Sequence, residues 1–320
     1  MLKDKKIAVV VPAYNEELLI RTVIETMPEF VDAIYIVDDC STDGTVARVE
    51  AHLESPNYSH LVKLIKNKKN QGVGTAITKG YRTAEADKMD VVAVMAGDAQ
   101  MDPDDLIKIV MPVVEDKADY TKGNRLFTGE AWDLIPRYRY LGNATLSLLT
   151  KIASGYWHVA DSQTGYTALS LRAIKILPLE KLYARYGYPN HMLVMLNIFN
   201  MRVRDVPVKP VYNIGEKSGI KLYSVVPRLS RLLLVTFLWR MREKYIIRDF
   251  HPLIFFYMLA FLLLGASLPL GLRIFWIWYQ VGGIPAINTL AVMFTIISGL
   301  QALFFAMWFD LEYNKSLSGD

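Results

Sequence analysis

The N-terminal two-thirds of the chain alternates short apolar runs with helical stretches of mixed polarity. The runs are "KIAVVVP", "AIYIVDD", "LVKLIKN" and "DVVAVMA", and a helical stretch follows each of them, the last one opened by Pro103. Short continuous runs between helices are typical of parallel strands that are covered on both faces. The pattern therefore predicts an α/β fold with a mainly parallel, Rossmann-like sheet, which binds ligands at the carboxyl ends of its strands.

The pattern changes after residue 250. From Pro252 to Phe309 the only charged side chain is Arg273, and about 20 apolar residues are enough to cross a hydrocarbon core of roughly 30 Å. We predict two transmembrane spans, at about 252–272 and 286–309. The string "RIFWIWYQVGGIP" between them is typical of a tight turn in the headgroup layer. Two buried core helices of a soluble protein are the alternative.

Positive charges predict the orientation of these spans. The stretch from Lys217 to Arg248 contains eight Lys and Arg residues and one acid, Glu243, and positive residues that flank a span stay in the cytoplasm. We expect a multi-pass protein of the cell membrane, with the large N-terminal domain and both termini cytoplasmic. The expected parts are a soluble domain at 1–222, juxtamembrane amphipathic helices at 223–250 and a transmembrane hairpin at 251–320. The middle part either lies along an anionic lipid surface or only anchors the chain.

Composition excludes some classes of partner and compartment. The net charge of +4 is mostly explained by the juxtamembrane segment, so we expect no nucleic-acid binding. The chain enters its first strand without an apolar signal region, so no export is predicted. Cys40 is the only cysteine, which excludes an internal disulfide and agrees with a reducing compartment. The sequence leaves association between copies of the chain open.

Polar residues gather where three of the predicted strands end. The strings are "PAYNE" at Pro12–Glu16, "DDCS" at Asp38–Ser41 and "GDAQ" at Gly97–Gln100. The carboxyl ends of parallel strands meet at one edge of a sheet, so these three loops are expected to converge. The glycine fingerprint of dinucleotide-binding folds and the phosphate-binding P-loop are both absent from the sequence. A nucleotide would therefore be held by side chains and a metal ion.

Seven strings of the sequence, taken in order, resemble glycosyltransferase family 2, and within it the polyprenyl-phosphate sugar synthases of the dolichyl-phosphate mannose synthase type. They are "VVVPAYNEE", "IVDDCSTDGT", "NQGVGTAITKGY", "MAGDAQMDP", "KGNR", "DSQTGY" and "YNIGEKSGIK", and they cover about residues 6–221. The resemblance implies a GT-A fold, a nucleotide-sugar donor, inversion at the anomeric carbon, and a polyprenyl or dolichyl phosphate acceptor.

The resemblance also assigns roles to residues of this chain. It implies that the base and ribose contact Pro12, Tyr14, Glu16, Asp38 and Asp39. It implies that Asp98 and Gln100 bind a divalent ion, Mg²⁺ or Mn²⁺, which bridges the diphosphate. The catalytic residues would be Asp98, Arg125 and Asp161. Capping of the following helix is the alternative for Asp38 and Asp39.

The chain departs from the family pattern at Ala96, where the first acid of an Asp-x-Asp pair usually stands. Mg²⁺ tolerates this change because it often takes only one or two carboxylates and completes its octahedron with phosphate oxygens and water. We therefore expect the ion to arrive with the nucleotide sugar. Compensating ligands from Asp102, Asp104 and Asp105 are an alternative, although acids are also favoured in the first turn of a helix.

Basic residues are the candidates for phosphate contacts. Lys217 and Lys221 in "NIGEKSGIK" would neutralise the leaving diphosphate from a loop that closes over the donor, or they are solvated lysines of a basic tract. Arg125 matches the family arginine that binds the acceptor phosphate, with Arg137 or Arg139 as a second contact or as surface residues. Asp161 would orient the acceptor or sugar hydroxyls, or bond its own turn.

Three functions compete at this stage. The first is transfer of a hexose to a polyprenyl phosphate, which would supply a lipid-linked sugar for glycan assembly. A processive polysaccharide synthase is the second, although its Q-x-x-R-W motif and additional spans are absent from the sequence. A non-catalytic membrane protein that binds nucleotide sugars is the third, suggested by Ala96. The "DSQTGY" string and the altered acid favour UDP over GDP. His191 stands where relatives more often carry Glu, so no sugar contact is assigned to it.

Overall fold

A computed structural model describes residues 1–56, 58, 60–127, 137–209, 211 and 222–319 of the chain, without the side chains of 138–141, 143 and 222–225. The chain divides into two compact units. The first comprises Met1–Phe237 together with Ser316–Asp320, and the second comprises Leu238–Lys315.

A mixed β-sheet forms the centre of the first unit, and the described residues contribute seven strands to it. The strands are β1 Ile7–Ala13, β2 Ala33–Asp38, β3 Val62–Lys66, β4 Val91–Val94, β5 Tyr120–Asn124, β6 Thr167–Ser170 and β7 Val203–Pro207. Their order across the sheet is β3-β2-β1-β4-β6-β5-β7, and among them β6 alone runs antiparallel to its neighbours. The predicted GT-A-like sheet is confirmed, and all four predicted strands are present.

Helices of the first unit connect these strands. They are α1 Ile20–Glu25, α2 Thr45–Leu53, α3 Val73–Ala86, α4 Leu106–Val114, α5 Arg137–Ser154, α6 Leu171–Ile176, α7 Tyr188–Ile198 and most of α8 Leu222–Arg242. A single 3-10 turn at Pro103–Asp105 opens α4, and Asp102 caps it by accepting a hydrogen bond from the Asp104 amide at 3.0 Å. This favours the helix-start interpretation of the acids that follow Gln100.

The core of the first unit is built on both faces of the central strand. Every residue of β1 is buried, and Ile7, Val9 and Val11 belong to one apolar cluster with residues of α1, α2 and α4. Val10 points to the opposite face because side chains alternate along a strand. There α3 comes so close that a Cβ added at Gly80 would lie 2.3 Å from Val10 Cγ1. Helices on both faces explain why β1 carries an uninterrupted apolar run.

The last residues of the chain return to the sheet of the first unit. Ser318 forms a parallel bridge with Val203 of β7, and the Gly319 amide donates to the Val203 carbonyl at 3.0 Å. Strand β7 stands at one end of the strand order, so this tail covers part of an otherwise open edge.

Two long apolar helices, α9 Leu253–Val281 and α10 Ala286–Asn314, pack against each other in the second unit. Both are long and apolar enough to cross a membrane, so they mark the chain as a candidate membrane protein. The turn predicted within residues 273–285 is shorter than expected, because α9 continues through Arg273 to Val281 and the chain turns only at 282–285. Gly282 ends the helix in a left-handed conformation, with φ 73°, which glycine adopts without steric cost.

A buried polar cluster occupies the second unit where the end of α8 meets α10. Arg240 Nη1 donates to Asp310 Oδ1 at 2.8 Å and Nη2 donates to Oδ2 at 2.9 Å, and both side chains are fully buried. The Tyr245 hydroxyl, in the π-helix Glu243–Arg248, donates to the same carboxylate, and Asn314 Nδ2 donates to the Tyr245 oxygen at 2.8 Å. The cluster fastens the segment that precedes α9 to the end of α10.

Candidate active site

The strand register brings the predicted site residues to one edge of the sheet. β1 pairs in parallel with β2 and β4, so the loops after Ala13, Asp38 and Val94 leave the sheet on the same side. The antiparallel strand β6 begins there, because Thr167 pairs with Val94 and with Lys122. The end of β5, followed by Arg125, and the segment before β6, which contains Asp161, therefore reach this same edge.

The loops after β1 and β2 are joined by hydrogen bonds. Asn15 Oδ1 accepts from the Thr42 amide at 2.8 Å, and the Asn15 amide donates to Ser41 Oγ at 2.9 Å. Asn15 has a φ of 59°, a left-handed conformation that Asn tolerates better than most residues. The turn leaves the ring of Tyr14 46% exposed, while Pro12 is buried. Tyr14 is thus available at the site edge as a flat surface for a base.

Asp38 and Asp39 are both 3% exposed and bond the protein's own backbone. Asp38 accepts from the Ser41 amide at 3.2 Å. Asp39 accepts from the Gln71 amide at 2.9 Å, the Gly72 amide at 2.6 Å and Asn67 Nδ2 at 2.8 Å. Neither carboxylate caps α2, so the capping alternative is wrong for that helix. Asp39 instead fixes the start of α3, where Gly72 has a φ of 97°.

Asp98 and Gln100 lie together in the loop after β4. The Gln100 amide donates to Asp98 Oδ1 at 3.1 Å, which holds the carboxylate beside the glutamine. Glu16 lies across from this loop, because a Cβ added at Gly97 would lie 3.3 Å from Glu16 Cγ. Burial and the nearby carboxylates of Asp98 and Asp43 together raise the pKa of Glu16 to about 7. Negative charge is therefore concentrated around the loop.

This donor set fits a hard divalent cation that is bound jointly with a ligand. Carboxylate and amide oxygens are the groups that Mg²⁺ and Mn²⁺ bind. A bound cation would also reduce the repulsion between the carboxylates of Glu16 and Asp98. Among the described residues, no three carboxylate, imidazole or thiol groups are arranged to hold a metal ion by themselves. Asp98 and Gln100 would thus supply two ligands, and phosphate oxygens and water would take the remaining positions.

Arg125 and Asp161 form a close ion pair. Arg125 Nε donates to Asp161 Oδ2 at 2.7 Å and Nη2 donates to Oδ1 at 3.3 Å, while the Gln163 amide donates to Oδ1 at 3.1 Å. Burial alone would raise the pKa of Asp161, but Arg125 and Lys122 outweigh that effect and lower it. Asp161 thus bonds its own turn, as one of the two predictions had it, and it also fixes the guanidinium of Arg125, 26% of whose side chain stays exposed. Its predicted role in orienting hydroxyls stays a prediction.

Lys122 is a site residue that sequence reasoning missed. It is fully buried in β5, and its Nζ donates to the carbonyl of Thr164. Burial lowers its pKa to about 8, while Asp161 and Asp205 act in the opposite direction. The sequence shows this lysine in "YTKGN", two residues before the end of β5. Its burial could not be predicted, because β5 was not predicted as a strand.

Arg137 and His191 are the remaining candidates that the structure describes. Arg137 begins α5 and is exposed, and the side chain of Arg139 and all of Lys217 and Lys221 lie outside the described residues. His191 is buried in α7, where its Nδ1 accepts a hydrogen bond from the Tyr183 amide at 3.0 Å. That bond gives His191 a structural role in the loop before α7.

A mixed sheet with acidic loops at its carboxyl edge, beside a fixed arginine, is the arrangement expected of a GT-A-like fold. The sequence profile of glycosyl transferase family 2 matches residues 8–176, more than half of the chain. The chain belongs to this family, and it is a glycosyltransferase.

Curated relatives match about two-thirds of the chain. The UDP-N-acetylglucosamine–dolichyl-phosphate N-acetylglucosaminyltransferase of Methanococcus voltae is 32% identical over 222 residues, which are 66% of this chain and 88% of the relative. The undecaprenyl-phosphate mannosyltransferase of Micrococcus luteus is 25% identical over 209 residues, 63% of this chain and 82% of the relative. Relatives of this chain thus transfer sugars to dolichyl or undecaprenyl phosphate.

Solved structures agree on the fold. Glucosyl-3-phosphoglycerate synthase from Mycobacterium tuberculosis, in a complex with Mn²⁺, UDP-glucose and glycerol 3-phosphate, superposes with a TM-score of 0.52. The alignment covers 74% of this chain and 80% of that chain, at 20% identity. The similarity supports the GT-A assignment of the sheet.

Proposed function

We propose that this protein transfers a hexose or N-acetylhexosamine from a UDP-sugar to a polyprenyl or dolichyl monophosphate at the cytoplasmic face of the membrane, with inversion. The observation that carries the proposal is the Arg125–Asp161 pair at the same sheet edge as Asp98 and Gln100. One group of residues suits a metal-bound diphosphate, and the other presents a guanidinium to a second phosphate. The sugar would lie between them.

The acceptor needs positioning more than it needs a base. A phosphate monoester is already largely ionised near neutral pH, so its oxygen can attack the anomeric carbon directly. The new C–O bond forms as the bond to the diphosphate breaks, and the nucleoside diphosphate leaves with the electron pair. A single displacement of this kind inverts the anomeric centre.

The residues of the chain divide these tasks. Arg125, held by Asp161, would bind the acceptor phosphate, and Tyr14 would stack on the base. Asp98 and Gln100 would hold a divalent ion whose chemistry is to neutralise the leaving diphosphate. Lys217 and Lys221 remain predicted contacts of the same diphosphate.

The membrane placement rests on the two apolar helices and on the tail that follows them. A tail that pairs with β7 belongs to the same compartment as the sheet, which supports two crossings between the sheet and the tail. Together with the positive charges that flank the first span, this supports cytoplasmic termini and a cytoplasmic catalytic domain.

A donor panel tests the proposal. Purified full-length protein in detergent would be incubated with Mg²⁺ and a short polyprenyl monophosphate. Each reaction would contain one donor: UDP-N-acetylglucosamine, UDP-glucose or GDP-mannose. Mass spectrometry would measure the mass of the lipid product. We expect one added sugar with at least one UDP-sugar. A ladder of added sugars would favour a processive synthase, and donor binding without any product would favour the non-catalytic interpretation. Either outcome would overturn the proposal.

A further inference from the structure

A second carboxylate, that of Asp205, is hydrogen-bonded to the residues that precede Arg125 and Asp161. Neither the family resemblance nor the proposed function uses it. Asp205 stands in β7, directly opposite Lys122 of β5 in the parallel register. Its Oδ2 atom accepts from Asn124 Nδ2 at 2.8 Å and from the Ala160 amide at 3.0 Å. Asn124 immediately precedes Arg125, and Ala160 immediately precedes Asp161. One oxygen atom therefore joins the two segments that carry the ion pair.

The contacts around Asp205 are specific to these two segments. Asn124 is 5% exposed and uses its other side-chain atom, Oδ1, to accept from the Leu126 amide at 2.9 Å. Asn124 thus bonds the backbone on the far side of Arg125 while it holds Asp205. Asp205 Oδ1 is buried and has no hydrogen-bond partner among the described residues. All the hydrogen bonds recorded for this carboxylate thus go to the residues that flank the pair.

The buried charge of Lys122 favours a carboxylate at position 205. Lys122 is fully buried next to Asp161 and Asp205, and a buried ammonium needs negative charge nearby. Burial raises the pKa of Asp205 to about 6, with Lys122 and the two donated hydrogen bonds opposing it. At neutral pH the carboxylate is therefore mostly ionised, and it balances the charge of Lys122 together with Asp161.

We infer that Asp205 is a positioning residue for the acceptor phosphate: it fixes the end of β5 and the segment before β6 so that Asp161 holds Arg125 in the orientation that receives the phosphate. The inference rests on the proposed function, because it needs Arg125 to bind the acceptor. A misplacement of about 1 Å in such a group lowers activity up to roughly a hundredfold.

The chain offers a matched control at the other end of β5. Asp119 is a 2% exposed carboxylate, and it accepts from the Arg202 amide at 2.8 Å and from Arg202 Nε at 3.2 Å. It thus joins the start of β5 to the residue before β7, at the opposite edge of the sheet from Arg125. Removing either carboxylate weakens the same pair of strands, but only Asp205 lies beside the proposed acceptor site.

The test measures KM for a short polyprenyl monophosphate and for the UDP-sugar with full-length Asp205→Ala, Asp205→Asn and Asp119→Ala. An asparagine has the shape of the aspartate and can keep its carbonyl in the place of Oδ2. We expect Asp205→Ala to raise the acceptor KM roughly tenfold or more, as the loss of two hydrogen bonds allows, with the donor KM unchanged. Asp205→Asn should recover most of this loss, and Asp119→Ala should keep the wild-type acceptor KM.

Two outcomes overturn the inference. One is a wild-type acceptor KM in Asp205→Ala, and the other is an equal rise in Asp119→Ala, which would show general weakening of the sheet. If Asp205→Ala does not fold, Asn124→Ala removes one of the same two bonds and must raise the acceptor KM in its place.

Arg125→Ala separates this inference from the proposed function. An unchanged acceptor KM in Arg125→Ala would refute the proposed acceptor site itself. A raised KM in Arg125→Ala with a normal KM in Asp205→Ala would refute only the positioning role.

Discussion

Among single residues of the proposed site, Asp98 is expected to matter most for sugar transfer, because its carboxylate would bind the metal ion. Asp98→Ala removes the one carboxylate of the Ala96-Gly97-Asp98 segment, so we expect sugar transfer to fall below detection while the folded structure is kept. Transfer of radiolabelled sugar to lipid measures the first effect, and circular dichroism measures the second. Glu29→Ala, an exposed carboxylate that precedes β2 at the opposite edge, should keep wild-type activity. A fully active Asp98→Ala enzyme would contradict the metal assignment.

Ala96 sets the expected affinity for free metal. With one carboxylate and one amide oxygen in the loop, Mn²⁺ without nucleotide should bind wild-type protein weakly, in the millimolar range. Ala96→Asp adds a second carboxylate and should tighten Mn²⁺ binding roughly tenfold, about 1.4 kcal/mol. Isothermal titration calorimetry measures both constants, with Ala96→Asn as the uncharged control. Micromolar binding of Mn²⁺ to the empty wild-type protein would contradict the idea that the ion arrives with the donor.

Because His191 is buried, the free energy of unfolding is expected to decrease in acid. Burial lowers its pKa from 6.5 to about 4, and its Nδ1 must stay unprotonated to accept the Tyr183 amide. The unfolded chain therefore takes up the proton first, so the contribution is complete above pH 6.5 and is lost as the pH falls towards 4. The loss is about 3 kcal/mol at most.

Thermal unfolding in neutral detergent measures this effect. Between pH 7.5 and pH 5, Tm of the wild-type protein should fall further than Tm of His191→Asn, because an Asn carbonyl accepts the same amide without titrating. An equal fall in both proteins would assign the acid sensitivity to other groups.

At the scale of elements, the Arg240–Asp310 pair should stabilise the second unit by holding the end of α8 to α10. Asp310→Ala leaves a buried guanidinium without its partner, which costs about 3–5 kcal/mol. The double variant Arg240→Met with Asp310→Leu removes both charges and should recover most of that stability. Unfolding temperature and size-exclusion profile in detergent measure the change. A double variant as unstable as Asp310→Ala would show that the hydrogen bonds of Tyr245 and Asn314, rather than charge pairing, hold these elements.

The strands that the sequence predicted have mainly apolar strings. β1, β2 and β4 are buried along their whole length, whereas β3 was predicted although it is only partly buried and contains two lysines. β5, β6 and β7 were not predicted, because "YTKGN" and "VRDVP" contain Gly, Lys, Arg or Pro and "TALS" has only two apolar residues. Their identity as strands depends on pairing with partners distant in the sequence, which local composition does not record.

The same limit applies to the site. Asp98, Gln100, Arg125 and Asp161 stood in recognisable strings, but the hydrogen bonds of Asp205 arise only once β5 and β7 pair. The proximity of Glu16 to Asp98 likewise requires the register of β1 and β4. The sequence thus predicted the site residues that lie in recognisable strings at strand ends. The structure was needed to find Asp205, which contacts the neighbours of Arg125 and Asp161, and to place Glu16 near Asp98.

For the whole molecule, the paired tail predicts an even number of membrane crossings. In a Cys40→Ser background, Gly283→Cys lies in the turn between α9 and α10 and Ser316→Cys lies just after α10, both at exposed positions. A membrane-impermeant maleimide added to intact cells should label the first and not the second, and should label the second only after lysis. Labelling of Ser316→Cys in intact cells would contradict a cytoplasmic C-terminus.

The products of one reaction decide whether the site transfers a sugar to a lipid phosphate. Wild-type protein, Mg²⁺, a UDP-sugar and a short polyprenyl monophosphate should give a lipid whose mass increases by one sugar residue, with a single phosphate retained and UDP released. A lipid that gains a second phosphate while UMP is released would show transfer of a phosphosugar instead. A lipid of unchanged mass with every donor would show that the arginine and the acidic loop do not act on one acceptor and one donor.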